Sequence, residues 1–329
     1  MIHPRRLPLT GLLLALLALS ASGQPVPELR PDFTFATVAQ GRRILSTRDE
    51  FVQQLSPFDR AARLKVARDV PEAEYLEFVA AQVLDWSAAE RERVTTALAA
   101  LRPALATLAL PFPTNIVLIK TTGREEGNAA YTRTNAVVLP ADKLSESTNA
   151  LVRLLGHELF HVLSRANPEL RDRLYAAIGF QRGPAAALPS ELGPRRITNP
   201  DAPRNEHRIR VQRNGETVGA IPVLYSSQER YDPVRGGEFF DYLEFKFRIE
   251  GWDSPTAAAT AEFVDLKDLT GFMEQVGNNT EYLIHPEEII ADNFVLIVLG
   301  TPEPRSPAIL ERIRAALITP VSGLSNSPR

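Results

Sequence analysis

The sequence predicts an α+β chain, and three observations predict it. Segments of helical apolar spacing come first, short strand-like runs follow in two separate groups, and a strongly apolar helical segment comes after each group. With 329 residues, 44% hydrophobic and 23% charged, the chain can bury a substantial core. Its 37 basic and 40 acidic residues nearly cancel, to a net charge of −3, which leaves no electrostatic footprint for nucleic acid or anionic lipid. Cysteine is absent, so disulfide scaffolds, thiol nucleophiles, thiolate metal sites and cysteine lipid anchors are excluded.

Residues 1–23 read as a signal peptide. Arg5 and Arg6 precede an apolar run from Leu9 to Leu19, and Ala21-Ser22-Gly23 offers small residues for cleavage before Gln24. The run falls short of the roughly 20 residues that cross a bilayer, so the expectation is export to a bacterial periplasm or the extracellular space. No stable membrane anchor is expected after cleavage; an uncleaved amino-terminal anchor is the alternative.

Residues 24–110 are expected to form a small N-terminal helical lobe. A proline-rich leader covers Gln24 to Asp32, and helical spacing covers Asp49–Leu55, Glu72–Leu84 and Ala88–Leu101. The third of these opens with Ser87 and Glu90 in capping-box positions, where each side chain satisfies a helix-start N–H. The main domain spans 111–318. Strands are expected over Asn115–Lys120 and Ala130–Leu139, then a helix over Asn149–Ser164, then another begun by Asn167-Pro168-Glu169 with Asn167 as its cap. A β-rich insertion covers about 183–260. It opens as the proline-rich loop Gly183–Pro203, continues as a hairpin of Arg208–Arg213 and Glu216–Ile221 turning at Asn214-Gly215, and includes a strand over Phe239–Ile249. Pro286–Leu299 is a second apolar helix, Ser306-Pro307 begins a last one, and 319–329 reads as a disordered tail.

The chemistry sits in Leu154-Leu155-Gly156-His157-Glu158-Leu159-Phe160-His161-Val162-Leu163. Residues four apart on a helix lie one turn above each other, so His157 and His161 converge on one metal ion. Glu158 lies about 100° around the helix, free to act as a base beside the metal without being a ligand. Neutral imidazole suits zinc, and two histidines plus one carboxylate leave a fourth position open for water. A purely structural reading, with both histidines bonded inside the core, has to explain two histidines and a glutamate on an otherwise apolar helix, where unpaired polar groups are costly.

Ser164 and Asn167 stand where the metzincin pattern needs glycine and histidine, which excludes that branch. Downstream, Pro286-Glu287-Glu288-Ile289-Ile290-Ala291-Asp292 places Glu288 and Asp292 four apart on one face. Together the two segments resemble the gluzincin, or thermolysin-like, zinc metallopeptidases. The resemblance implies a zincin-like catalytic domain in which the second helix supplies Glu288 as third ligand and Asp292 hydrogen-bonds His157. Glu287 faces elsewhere on that helix, His285 is expected to cap or brace it, and His207 sits among arginines.

The expected function is therefore an exported zinc-dependent metallopeptidase. It holds one catalytic Zn2+ on His157, His161 and Glu288, and Glu158 is the general base toward a metal-activated water. Its partner is a peptide or protein substrate. The alternatives are a non-catalytic zinc-stabilised binding protein and a zinc hydrolase of a non-peptide amide. The strand Tyr131–Leu139 is a candidate edge for pairing with an extended substrate. Tyr225, Tyr231, Tyr242, Tyr282 and His207 are candidates to steady the oxyanion.

Overall fold

The computed structural model describes residues 31–253 and 261–318. The expected signal peptide, residues 1–23, and the expected disordered tail, 319–329, lie outside them. Among the described residues no helix is long and apolar enough to cross a membrane. The chain is mixed α and β, with two sheets and helices packed against them.

The residues expected as a helical lobe do more than that. They contribute strands β1 (Asp32–Phe35) and β2 (Val83–Leu84) as well as helices α1 (Val38–Leu45), α2 (Glu50–Gln54), α3 (Pro57–Leu64), α4 (Glu72–Ala81) and α5 (Ala88–Leu108). Both strands pair with β3 (Asn115–Thr121), β1 in parallel and β2 antiparallel. The signal for β1 is the alternation Asp32-Phe33-Thr34-Phe35, hidden at the end of the proline-rich leader; its two phenylalanines pack on the main core. Helix α5 runs past Pro103, where the sequence suggested an end at Leu101. Its buried stripe continues through Leu105 and Leu108, while Pro103 and Ala99, whose carbonyl loses its partner, both face solvent.

The expected strand over Ala130–Leu139 is a hairpin instead. β4 (Tyr131–Arg133) turns back antiparallel onto β5 (Ala136–Pro140), with Thr134 held at φ 53° in the turn. The first sheet thus has the order β1-β3-β5-β4, with β5 parallel to β3 and β4 at the edge. Its two faces bury different partners. Leu118, Val137 and Leu139 join the core of α5 and α6 (Thr148–Ala166), whereas Ile119, Ala136 and Val138 join that of α1, α2 and α4. Helices α1, α2 and α4 are therefore one layer of a sandwich around this sheet, and α5 with α6 the other.

Helix α6 starts at Ser147, whose hydroxyl accepts from the Ala150 N–H. At its other end Asn167 precedes α7 (Pro168–Ala177), but its side chain makes no cap there. Its Nδ2 donates to the Leu163 and Pro111 carbonyls and closes α6 instead.

The second sheet is antiparallel throughout, in the order β10-β9-β8-β7-β6. It comprises β6 (Phe180–Arg182), β7 (His207–Arg213), β8 (Glu216–Ser226), β9 (Leu243–Gly251) and β10 (Glu262–Val264). The β7–β8 turn has Asn214 and Gly215 both at positive φ, as a tight two-residue hairpin requires. After the short α8 (Met273–Val276), helix α9 (Pro286–Leu299) packs along α6, and α10 (Pro307–Ile318) packs against α7 and α9. The α6–α9 pairing brings the two apolar helices together.

His285 begins α9. Its Nδ1 accepts from the Glu287 N–H at 3.1 Å and its Nε2 donates toward the Arg204 carbonyl at 3.3 Å, so only the neutral ring serves both. Burial pulls this imidazole down to about 4 from 6.5. The unfolded chain therefore binds a proton that the folded one refuses, and stability is lost as pH falls from about 6.5 toward 4. The slope is about 1.4 kcal/mol per pH unit, up to roughly 3 kcal/mol in all. Denaturant unfolding between pH 4 and 7 checks this: the wild type should lose stability more steeply than His285→Asn, which keeps an acceptor at the cap. Equal slopes would refute it.

Candidate metal centre

Helix α6 presents His157 and His161 one turn apart, their ring centroids separated by 4.7 Å. Helix α9 brings Glu288 to them from the facing side. Its Oε2 lies 3.1 Å from His157 Nε2 and 3.6 Å from His161 Nε2, so one oxygen and two nitrogens face a common point. Burial opposes charge on Glu288, but the two imidazoles outweigh it and hold the carboxyl down at about 2. His161 Nε2 is buried and has no hydrogen-bond partner among the described residues. A buried nitrogen left open beside a nitrogen–nitrogen–oxygen set fits a divalent metal, zinc among those that such donors suit.

Each imidazole is braced from behind. Asp292 Oδ1 holds His157 Nδ1 at 3.0 Å, and Thr280 in turn donates to Asp292 Oδ2. Glu287 Oε1 holds His161 Nδ1 at 3.0 Å. Glu287 Oε2 accepts from the Ser164 hydroxyl at 2.7 Å and from the Tyr175 phenol. Burial works against charge on both rings, yet Asp292 and Glu288 hold His157 well above its ordinary value, and Asp201, Glu288 and Glu287 hold His161 at about 9. The arrangement fixes each ring so that Nε2 points to the metal position.

The sequence reading of α9 needs one addition. Glu287 does face away from the ligand point, as expected, but the direction it faces is His161. It is therefore the counterpart of Asp292. The signal was the adjacent Glu287-Glu288 pair: on a helix lying against two stacked histidines, one carboxylate can reach the metal side and its neighbour the far nitrogen.

Glu158 projects into a cleft of about 760 Å3, whose walls include His157, Glu288, Asp292, Tyr282 and the segment Gly127–Ala130. It is 2% exposed, and its Oε2 has no partner among the described residues. Burial, and then the charge of Asp201, push it up to about 8. Asp201 was not anticipated. It arrives on the loop before β7 and stands with Glu158 and His161 in a second group close enough to share a cation. Pro200 and Asp201 lie in an aperiodic stretch, where sequence pattern carries no signal for such a placement.

Asp201 also occupies the predicted substrate edge. Its Oδ1 accepts from the Thr132 N–H at 2.8 Å and from the Thr132 hydroxyl, and Arg165 Nη1 donates to that hydroxyl at 2.7 Å. The outward N–H of β4 is thus already used, and the cleft wall is the preceding segment Gly127–Ala130.

Of the five oxyanion candidates, Tyr282 alone lines the cleft. Although the residue is 41% exposed, crowding at the cleft and the nearby Glu288 and Asp201 raise its phenol, so it stays a donor. Tyr231 donates to the Gly237 carbonyl, Tyr242 to those of Asp232 and Gly236, Tyr225 packs on Phe263, and His207 bonds Asp172.

A family model described as the eCIS core domain matches residues 120–169, from the end of β3 through all of α6 to the start of α7. No curated protein and no solved structure matches the chain. The matched stretch contains His157, Glu158 and His161 and stops well short of Glu288, so the likeness to the eCIS core domain covers one of the two helices that build the centre.

Proposed function

We propose that the chain is a gluzincin-type zinc metallopeptidase with a zincin-like catalytic domain, exported through residues 1–23. The observation that carries this reading is the company Glu158 keeps. A buried carboxylate whose Oε2 has no hydrogen-bond partner among the described residues stands on an open cleft beside two histidines and a glutamate that could hold a metal, with both imidazoles braced by carboxylates of their own. A closed structural site has no use for such a base, which disfavours the zinc-stabilised binding protein. Export is supported by the apolar leader and by the likeness to the eCIS core domain, a domain found in extracellular contractile injection systems.

His157, His161 and Glu288 would hold the zinc. When bound there it polarises the scissile carbonyl and acidifies the attacking water. The remaining steps belong to the chain. Glu158 accepts the proton of the water on its carboxylate and hands it to the departing amine. Burial and Asp201 raise its proton affinity above that of an ordinary carboxylate, and a cation held beside it would draw that affinity back down, so the group can both accept and release the proton. Tyr282 donates its phenolic proton toward the oxyanion. Asp292 and Glu287 keep the imidazoles from rotating, and the wall Gly127–Ala130 bounds the substrate chain.

The test is digestion of a mixed peptide library by protein whose zinc content is confirmed by elemental analysis. Cleavage is expected, abolished by chelator and restored by added zinc. Fully loaded, folded protein that cleaves no peptide would overturn the peptidase reading.

A further inference from the structure

We infer that Asn199 is a positioning residue for the third ligand, and that the amino-terminal helices hold it in place, so that they form part of the metal centre. This rests on the zinc reading above.

The chain of contacts begins in α3. Asp59, fully buried, accepts from the Thr198 N–H with Oδ1 at 3.0 Å and from the Thr198 hydroxyl with Oδ2 at 2.7 Å. Arg63, one turn on, donates to the Thr198 carbonyl at 3.2 Å. Every polar group of Thr198 thereby meets α3, and its hydroxyl also reaches the Gln54 carbonyl of α2 at 3.2 Å. The next residue is Asn199. Its Oδ1 accepts from the Asp201 N–H at 2.9 Å, which settles the orientation of its amide and turns Nδ2 outward. That Nδ2 donates to Glu288 Oε1 at 2.6 Å.

Glu288 has two oxygens, and they are treated differently. Oε2 faces both imidazoles, while Oε1 is taken by Asn199. The amide thus selects which oxygen remains for the metal and stops the carboxylate from swinging about its last torsion. It is a neutral donor, so it does so without adding charge to the site. Outer partners of this kind commonly tune metal affinity 10–100-fold (order of magnitude). What is unusual here is the anchoring, because the support for a ligand on α9 runs through the insertion loop back to α3.

The experiment measures zinc affinity by competition with a chromophoric chelator, on the full chain, with cobalt-substituted protein as a spectroscopic check. Asn199→Ala should weaken zinc binding about tenfold and change the visible cobalt bands, because Glu288 becomes free to offer either or both oxygens. Asn199→Asp keeps the shape but sets a carboxylate against Oε1, and should weaken binding at least as much. Thr198→Val removes the hydroxyl's contacts with Asp59 and the Gln54 carbonyl and should act in the same direction by a smaller factor. A merely structural role would lower the melting temperature equally with and without zinc; the expected result is a near-normal metal-free value with a reduced rise on adding zinc. Unchanged affinity and cobalt spectrum in both Asn199 variants overturns the inference and leaves the zinc reading standing, and an unaffected Thr198→Val overturns the part played by α3. A wild-type chain that binds neither zinc nor cobalt overturns both readings.

Discussion

Glu158→Gln is expected to lower peptide turnover by about 10²–10⁴-fold while zinc content stays unchanged. The substitution keeps the size of the side chain and removes only its capacity to take a proton. Because Glu158 is outside the set of His157, His161 and Glu288, the loss should fall on kcat and leave metal retention intact. Amide and carboxylate also differ little in packing, since Oε2 of Glu158 makes no hydrogen bond among the described residues that the change would break. Steady-state kinetics on a cleaved peptide, with zinc measured on the same sample, checks both halves. Retained full activity would remove Glu158 as the base, and lost zinc would make it a ligand or a support.

Arg63→Met should destabilise the fold by about 3–5 kcal/mol, the usual cost of stripping one partner from a buried ion pair. Arg63 is buried, with Nη1 on Asp59 Oδ1 at 2.7 Å and Nε and Nη2 on the two oxygens of Glu126 at 2.7 and 2.8 Å. Its guanidinium also lies 4.4 Å from the Phe239 ring centre. Even with that cation present, burial pushes Glu126 up to about 7. Without it, two carboxylates are left facing each other in the interior. Urea unfolding measures the loss, and adding Glu126→Gln to Arg63→Met should recover part of it by removing one orphaned charge. A single variant within 1 kcal/mol of wild type, on the scale of exposed pairs, would show that the triad is not the brace described here.

The parts of this molecule that sequence made legible are those with a period. The four-residue spacing of His157 and His161, and of Glu288 and Asp292, is local helix geometry; it stated which side chains share a face before any fold was known. The Asn214-Gly215 turn was legible for a similar reason, since few residue pairs adopt its backbone. Glu287 was half legible: its direction followed from the helix, but its partner depended on how α9 lies against α6. Asn199 and Asp201 were not legible, because a loop side chain reaches its target through the loop's anchor, here Asp59. The β4–β5 hairpin was hidden because Thr134-Asn135 is a weak turn signal inside an otherwise apolar run. β1 was hidden because four alternating residues are too few to stand out behind a proline-rich leader.

That small strand has a consequence of its own. Many secreted proteases are made with a leading segment that is shed to release the mature catalyst. Here β1 is hydrogen-bonded along the whole of its length to β3, within the sheet that also carries β5. Of the helices that follow, α1, α2 and α4 cover one face of that sheet and α5 part of the other. Trimming the first hundred residues would expose the interior of this sheet. A cut that removed β1 would strip β3 of its parallel partner and is expected to destabilise the fold.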